Sequence, residues 1–426
     1  MAALLLIAAP GADASPRPPA LTYLGTVPAA DQALLTEDTL YVHHYSHSRD
    51  AVLTAYRLSD GTMTWQVDEW EVDQNDIGGW QHAQEPPVAW LRVHNGVLLV
   101  TLRLFGVPAA PVMTTAYDPQ TGAARWTREG EPAAGTTDVM VLLRQETPPE
   151  PPDRWPRHRP VAVDLTTGEQ VWTAPVGRWQ YDFQRDGHAR HLVHLDDNGQ
   201  LTTYDINTGV SRSATTSVTG EIGYHVVGEL VLMHRPWDHV AQRPPDDTAM
   251  HAYDAGTLTH RWTVDLGEPP VMFGHCGSVM CVHGPAALHA LDPATGDAWW
   301  SAEAAPPLTG HTVLWPYSLG PQYPDTLLMD GHAVHTATGE PLLPLASWGQ
   351  EHEPELRTSA WHLDPVLIWH PPREIGVESR TWFARLRPQP LGLEILGSTT
   401  RVDQCRATTD HIVCRDHNQL HLWRIR

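Results

Sequence analysis

Ala116-Tyr117-Asp118-Pro119-Gln120-Thr121-Gly122-Ala123-Ala124-Arg125-Trp126 returns as Ala162-Val163-Asp164-Leu165-Thr166-Thr167-Gly168-Glu169-Gln170-Val171-Trp172, and again from Ala290 through Gly296 to Trp300. Self-similarity of this kind decides architecture before any single residue is weighed. In each copy a small residue ends an apolar strand, and Asp and Thr stand where their oxygens reach turn amides. The Gly supplies the positive φ that closes the turn. Four residues past the Gly, the Trp opens the outgoing strand, where its flat ring can lie across a neighbouring sheet.

Weaker copies show which positions carry the geometry. Ala55, Gly61 and Trp65 keep the three anchors without the Asp and Thr. Thr203 to Gly209 keeps the turn with Ser213 in the Trp place, and Ala333 to Gly339 keeps the turn with Leu343 there. In the copy starting at Ala252 the Gly comes early, as Gly256, yet Trp262 still falls ten residues after the Ala. Ala384 to Glu394 is read as an eighth copy. Upstream of each turn lie short apolar runs such as Val97-Leu98-Leu99-Val100 and Leu230-Val231-Leu232-Met233, which makes about four strands per unit. No long stretch carries helical i, i+3, i+4, i+7 spacing.

Repeated four-stranded antiparallel sheets that cannot bury both faces alone pack radially into a β-propeller. The expectation is therefore an all-β propeller of eight or nine blades. Gln419 to Ile425 reads as a third strand without a fourth, and Leu21 to Val27 as that missing outer strand, so the two termini share the closing blade. The expected organisation is a signal-peptide or membrane-anchor remnant at 1–14, a Pro-rich tether at 15–20 and a single propeller over 21–426.

These phrases resemble the tryptophan-docking repeats of the PQQ-like propeller family, which holds the quinoprotein dehydrogenases and cofactor-free relatives of the BamB type. Quinoprotein membership would imply bound PQQ, a calcium ion in an acidic ligand set, a catalytic Asp and vicinal cysteines. No Cys-Cys pair and no Cys-x-x-Cys-His segment occurs. Asp118, Asp164, Asp205, Asp254 and Asp292 belong to turns, so no catalytic, cofactor-binding or metal-ligating residue is assigned, and neither PQQ nor calcium is expected.

The chain has 426 residues, with 28 basic against 50 acidic and a net charge of −22, which disfavours nucleic acid and anionic membrane as partners. Every basic residue is Arg, and the absence of Lys excludes Schiff-base chemistry and a P-loop. Four cysteines form two sequence-local pairs, Cys276 with Cys281 and Cys405 with Cys414, each spanning the first and second strand of its unit. Facing strand positions suit disulfides, with free core thiols or a metal site as the alternative; neither pair has zinc spacing. Disulfides and the apolar run Met1 to Ala9 followed by Ala12-Asp13-Ala14 both point to export.

Histidine clusters occur at His43, His44 and His47, at His188, His191 and His194, and at His275, His283 and His289. Odd spacings within a strand send neighbours to opposite faces, so solvent-facing or turn histidines are expected rather than metal ligands. Of 18 tryptophans, Trp65, Trp126, Trp172, Trp262 and Trp300 serve the repeat. Trp70, Trp80, Trp155 and Trp237 are candidates for a ligand rim, set against further blade packing. Three long insertions, Trp70 to Pro87, Thr147 to Pro160 and Pro236 to Asp247, mark the face on which to seek a partner. The expected function is that of a monomeric, non-enzymatic extracytoplasmic scaffold binding a protein or other ligand. A PQQ-type oxidoreductase and the sensor domain of an envelope signalling protein are the alternatives.

Overall fold

The computed structural model describes residues 21–28, 31–45, 51–68, 88–103, 111–146, 157–182, 189–196, 198–215, 223–235, 248–270, 272–276, 278–284, 287–303, 317–318, 326–329, 332–335, 338, 341–344, 355–358, 366–370, 380–388, 391–400, 402–416 and 419–426. Those residues form nine four-stranded antiparallel sheets. Blades 1 to 8 take consecutive strands within 32–68, 88–129, 131–173, 179–215, 223–265, 272–303, 317–344 and 355–400. Blade 9 takes Asp403–Ala407, His411–Asp416 and Gln419–Ile425, and its outer strand is Leu21–Pro28, paired antiparallel from Leu21↔Ile425 to Pro28↔Gln419. The expected sharing of one blade by the two termini is thus the observed closure, and the count is the larger of the two expected.

First strands stand side by side around the axis: Gln32–Leu35 beside Val88–His94, Gly223–Val227 between Trp179–Tyr181 and Met272–Cys276, and Asp403–Ala407 beside Gln32–Leu35. Between blades lie apolar seams. Leu53, Ala55, Leu98 and Val100 fill the seam of blades 1 and 2; Leu99, Trp126, Met140 and Val163 fill the next. Val27, Leu420 and Leu422 of blade 9 pack on Leu40, Val42 and Leu58 of blade 1, so the ring is closed by burial as well as by strand pairing.

Each repeat turn is built as its residues dictate. Asp118 Oδ1 accepts from the amides of Gln120 and Thr121 and from the Thr121 hydroxyl, at 3.0 Å each, and Thr121 Oγ1 accepts from the Ala123 amide. Asp164 does the same with Thr166 and Thr167. Gly122, Gly168, Gly209 and Gly296 take φ between 69° and 78°. Just beyond, the ladder shifts register between Ala116 and Tyr117, so that Ala116 faces Trp126 while Arg125 is extruded. The same bulge sits at Ala55, Ala162, Ala252, Ala290 and Ala333. It aims each Trp at the next blade.

The copy at Ala384 to Glu394 is corrected by the register. Ala384 pairs with Ile395, Glu394 pairs with Arg385, and the bulge falls between Phe383 and Ala384, with Gly397 opposite Phe383. A longer hairpin, continuing to Pro388↔Leu391, replaces the repeat turn there. The insertion expected to end at Pro160 also ends earlier, because His158–Asp164 is already strand.

Strand alternation sorts the connections between two faces. Asp-Thr-Gly turns and the links from first to second strand lie on one face. The links from second to third strand, and from one blade to the next, lie on the other. Segments 69–87, 147–156 and 236–247 all depart from and return to strand ends on this second face.

Both cysteine pairs are disulfides. Cys276 and Cys281 join the first two strands of blade 6, with Cα atoms 5.7 Å apart; Cys405 and Cys414 do the same in blade 9, at 4.0 Å.

Candidate functional site

The repeat residues are fully occupied by structure. Trp65, Trp126, Trp172 and Trp262 each donate from Nε1 to a carbonyl of the next blade's turn, on Pro119, Leu165, Ile206 and Pro293, at 2.8 to 3.1 Å. Each indole then lies on the turn glycine three residues further on. A Cβ placed on Gly122, Gly168, Gly209 or Gly296 would meet that ring at 2.5 to 2.6 Å. The acceptor, the glycine and the bulge together define the socket in each of these four cases, and it holds the ring flat. Trp300 stands opposite Ala290 across the same bulge.

Where the Trp is missing the socket changes with it. Ser213, expected in the Trp place, is corrected by the register: blade 4 lacks the bulge, so Thr203 pairs with Arg212 and Ser213 pairs with Thr202 on the other face. Blade 5 puts Leu258 at the position of the turn glycine, with φ 59°. Asp254 still organises that turn through the Thr257 amide and hydroxyl, and Leu258 is buried among Val193, Leu201, Tyr224 and Val231. A leucine therefore fills from the turn what an indole fills from the strand elsewhere. The early Gly256 in the sequence was the visible sign of this exchange.

The repeat carboxylates are poor candidates for chemistry. Asp118 has Oδ1 in three turn hydrogen bonds and Oδ2 against Arg125 at 2.7 Å; that guanidinium, with the Thr121 and Gln120 donors, holds its pKa down to about 2. Asp254 is likewise clamped by Arg261. Both are permanently ionised acceptors whose lone pairs serve the turn.

A polar niche that sequence reasoning missed lies near the axis, on the turn face of blades 4 to 6. Gln180, Tyr181, Asp182, His225, Val226, Val227 and Phe273 enclose a cavity of about 10 Å³, room for one water. Asp182, buried, accepts from the Gly228 amide at 2.7 Å and lies 2.9 Å from His275 Nε2, so one carboxylate ties blade 4 to blades 5 and 6. Burial and the nearby Glu131 charge raise the Tyr181 pKa, against the Arg92 charge, which lowers it. His225 stacks on His234 and leans on Phe273; burial first, and His234 second, push its pKa down to about 4. No repeat phrase marks these residues, which meet only because first strands converge.

The histidine expectation is corrected in part. His43, His94, His234 and His411 are buried in the blades rather than solvent-facing. His94 Nε2 lies 2.7 Å from the Thr136 carbonyl of the next blade, and His234 packs on Gly223. His94 and His234 are buried by close packing on Gly135 and Gly223. His191 and His194 do diverge: the first faces Glu229 at 3.4 Å, and the second faces Trp179. His289 reaches Ser301 and Glu268. His47 and His188 lie outside the described residues. Among the described residues no group of three or more His, Cys, Asp or Glu is placed to hold a metal ion.

Trp70, Trp80, Trp155 and Trp237, the proposed rim, lie outside the described residues, as do residues 1–20. Two other tryptophans divide between the readings weighed for them. Trp179 is buried and donates to the His158 carbonyl of blade 3, a packing role. Trp90, on the first strand of blade 2, is 38% exposed. A calcium–quinone pair would need free carboxylates at the axis. Asp182, the buried one, is committed to Gly228 and His275, and the described residues do not supply such a set.

The family model of the outer membrane protein assembly factor BamB matches residues 157–315. No curated protein matches the chain. Among solved structures the ring is similar to BamB from Moraxella catarrhalis, at 11% identity over 95% of this chain and 99% of that one, with a TM-score of 0.40. It is also similar to the C-terminal WD40 domain of Sif2, at 9% over 95% and 98% with a TM-score of 0.42. A third is a quinohemoprotein alcohol dehydrogenase from Comamonas testosteroni, at 15% over 93% and 67% with a TM-score of 0.36. With its turns, bulges and indole sockets repeated among nine four-stranded sheets of described residues, the chain is a β-propeller, and its stretch 157–315 carries repeats that match the BamB family model.

Proposed function

We propose that the chain is a non-catalytic, monomeric, extracytoplasmic scaffold that works without PQQ or calcium and holds a partner protein on the face opposite its repeat turns. The segregation of connections carries this reading. Short turns, closed by their own Asp and Thr, occupy one face, while the segments 69–87, 147–156 and 236–247 spring from the other. Long connections on a rigid ring are where such folds place recognition. The first two hold Trp70, Trp80 and Trp155 and the third Trp237, the residue type most enriched at interface centres. Two hairpin disulfides suit an oxidising compartment, and the excess of acidic residues favours a protein partner over nucleic acid.

Photo-crosslinking tests it directly, with a benzophenone side chain replacing Trp80 or Trp237 of the insertions and, separately, Gln120 or Thr166 of the repeat turns. Crosslinked partner from the first pair alone is expected. Crosslinks from the turn face alone would overturn the reading. Adding PQQ and calcium to the full chain should give no quinone absorbance shift and no dye-linked alcohol oxidation.

A further inference from the structure

One cross-strand position recurs on the blades, just before the Ala of the third strand or its counterpart. There Thr115 pairs with Thr127, Thr202 with Ser213, His251 with Thr263 and His289 with Ser301. In each pair the side chains are in hydrogen-bond contact, at 2.9 to 3.1 Å. In blades 2 and 4 two hydroxyls bond each other, and in blade 5 the Thr263 hydroxyl is shared between His251 and His260. Blade 6, alone of these four, sets a serine against an imidazole. The other nitrogen of that ring, His289 Nε2, lies 3.3 Å from Glu268 Oε1.

Different parts of the chain place the three groups. Ser301 and His289 face each other on the fourth and third strands of blade 6, and Glu268 comes from the link that enters the blade. Glu268 is seated on Gly284, where an added Cβ would run into the carboxyl carbon. Gly284 takes no positive φ, so room for that carboxylate is what the glycine supplies. The order of the bonds fixes the proton. A carboxylate only accepts, so Nε2 carries the ring proton, Nδ1 keeps its lone pair, and the Ser301 hydroxyl donates to it. The side chains of His289 and Glu268 are 13% and 14% exposed, while Ser301 is open to solvent. An accessible hydroxyl, a base in contact with it and a carboxylate orienting that base make an activated nucleophile.

We propose that Ser301 is a covalent acceptor site that takes an acyl group from a carboxylic ester. Ser301 Oγ attacks the ester carbonyl carbon as its proton passes to His289 Nδ1. The carbon–oxygen bond to the alcohol then breaks, and the departing alkoxide takes that proton. The products are an O-acyl serine and a free alcohol, and no oxidant or reductant is needed. Glu268 is a positioning residue that holds the ring through Nε2. The step ends at the acyl serine, so the ring is a stoichiometric acceptor and gains a point of covalent attachment beyond its partner-holding role. Trp80 and Trp237 take no part in this constellation, so the acylation and crosslinking results stand or fall separately.

The probes are p-nitrophenyl acetate and an alkyl fluorophosphonate, each added to the full chain and read by nitrophenolate release and by peptide mass spectrometry. A burst of one equivalent of nitrophenolate is expected, with the acetyl or phosphonyl mass on Ser301. Ser213, whose neighbour is the Thr202 hydroxyl, is the internal control and should stay unmodified. His289→Asn should slow labelling about a hundredfold, the lower end of what a positioned base supplies. Glu268→Gln should slow it by about tenfold or more and move the His289 ring ¹⁵N signals from bare Nδ1 to a mixture of tautomers, a change that lost packing alone does not produce. An unmodified Ser301 in the parent, equal labelling of Ser213, or unchanged labelling of His289→Asn would each overturn the proposal. Ser301 and Ser213 are compared within one parent molecule, so a variant that fails to fold leaves the test intact. Release that continues past one equivalent and is lost in His289→Asn would overturn the acceptor in favour of a hydrolase.

Discussion

Adding one methyl group at Gly168 tests the socket reading most sharply. The residue sits at φ 70°, where an L residue is strained by about 1 kcal/mol or slightly more. Its new Cβ would also fall 2.5 Å from Trp126 Cγ, 2.7 Å from Cβ and 2.9 Å from Cδ2. The indole has little room to yield, since it is buried and its Nε1 is fixed on Leu165 at 2.9 Å. Overpacking of this sort costs a further ~1–3 kcal/mol, so Gly168→Ala should destabilise by about 3 kcal/mol in all. Gly61→Ala carries the same backbone strain, at φ 69°, with nothing described within 4 Å, and should cost only about 1 kcal/mol. Trp126→Ala alone should cost ~3–5 kcal/mol. In that background the Gly168→Ala penalty should fall to its strain component, a coupling of about 2 kcal/mol in the double-mutant cycle. Urea unfolding followed by far-UV circular dichroism and by tryptophan fluorescence, with coincident transitions, measures all four corners. A Gly168→Ala penalty no larger than that of Gly61→Ala, or strict additivity with Trp126→Ala, would refute the claim that the repeat glycine exists to seat the indole.

Acid should loosen blades 5 and 6. His225 has a folded pKa of about 4 against roughly 6.5 unfolded, so it contributes full stability above pH 6.5 and loses about 3 kcal/mol as pH falls from 6.5 through 4. Burial lowers His158, His234 and His411 in the same direction. The urea midpoint should drop between pH 7 and 4.5, less steeply in His225→Phe; identical slopes would contradict the assignment. Reducing the two disulfides opens loops of five and nine residues of separation, worth about 2 to 3 kcal/mol each by chain entropy, and should lower the melting temperature relative to unreduced protein. In the Leu258 seam, Leu258→Gly alone should cost ~2 kcal/mol or more through lost packing. Arg212→Trp, at the residue that pairs with Thr203, alone should also destabilise, by overpacking, and the double variant should recover stability by rebuilding the common socket. A double variant as unstable as the sum would show that the two positions do not exchange roles.

The fold was legible because the repeat is local chemistry written many times. Asp118, Thr121 and Gly122 close their turn with bonds that span no more than five residues, and Ala116 to Trp126 fixes the bulge without help from distant parts of the chain. Even the closing blade showed itself as one surplus strand at each terminus. The copy at Ala384 misled because its Ala keeps the spacing while the bulge falls one residue earlier, at Phe383, and composition carries no mark of register. Burial of His94 and His234 escaped for a related reason. Strand alternation gives the side of the sheet, but whether that side meets solvent or a nearby glycine, Gly135 or Gly223, depends on packing.

What the sequence determined by itself was the repeating unit, its turn, its outgoing tryptophan, the cysteine pairing and the need for the termini to meet. Each follows from interactions between residues close along the chain. The tertiary structure alone decided what stands between units: the Asp182 bridge to Gly228 and His275, the contact of His225 with Phe273, and the leucine that replaces an indole in blade 5. Those features join residues tens of positions apart, and only the packing of neighbouring blades brings them within a few ångströms of one another.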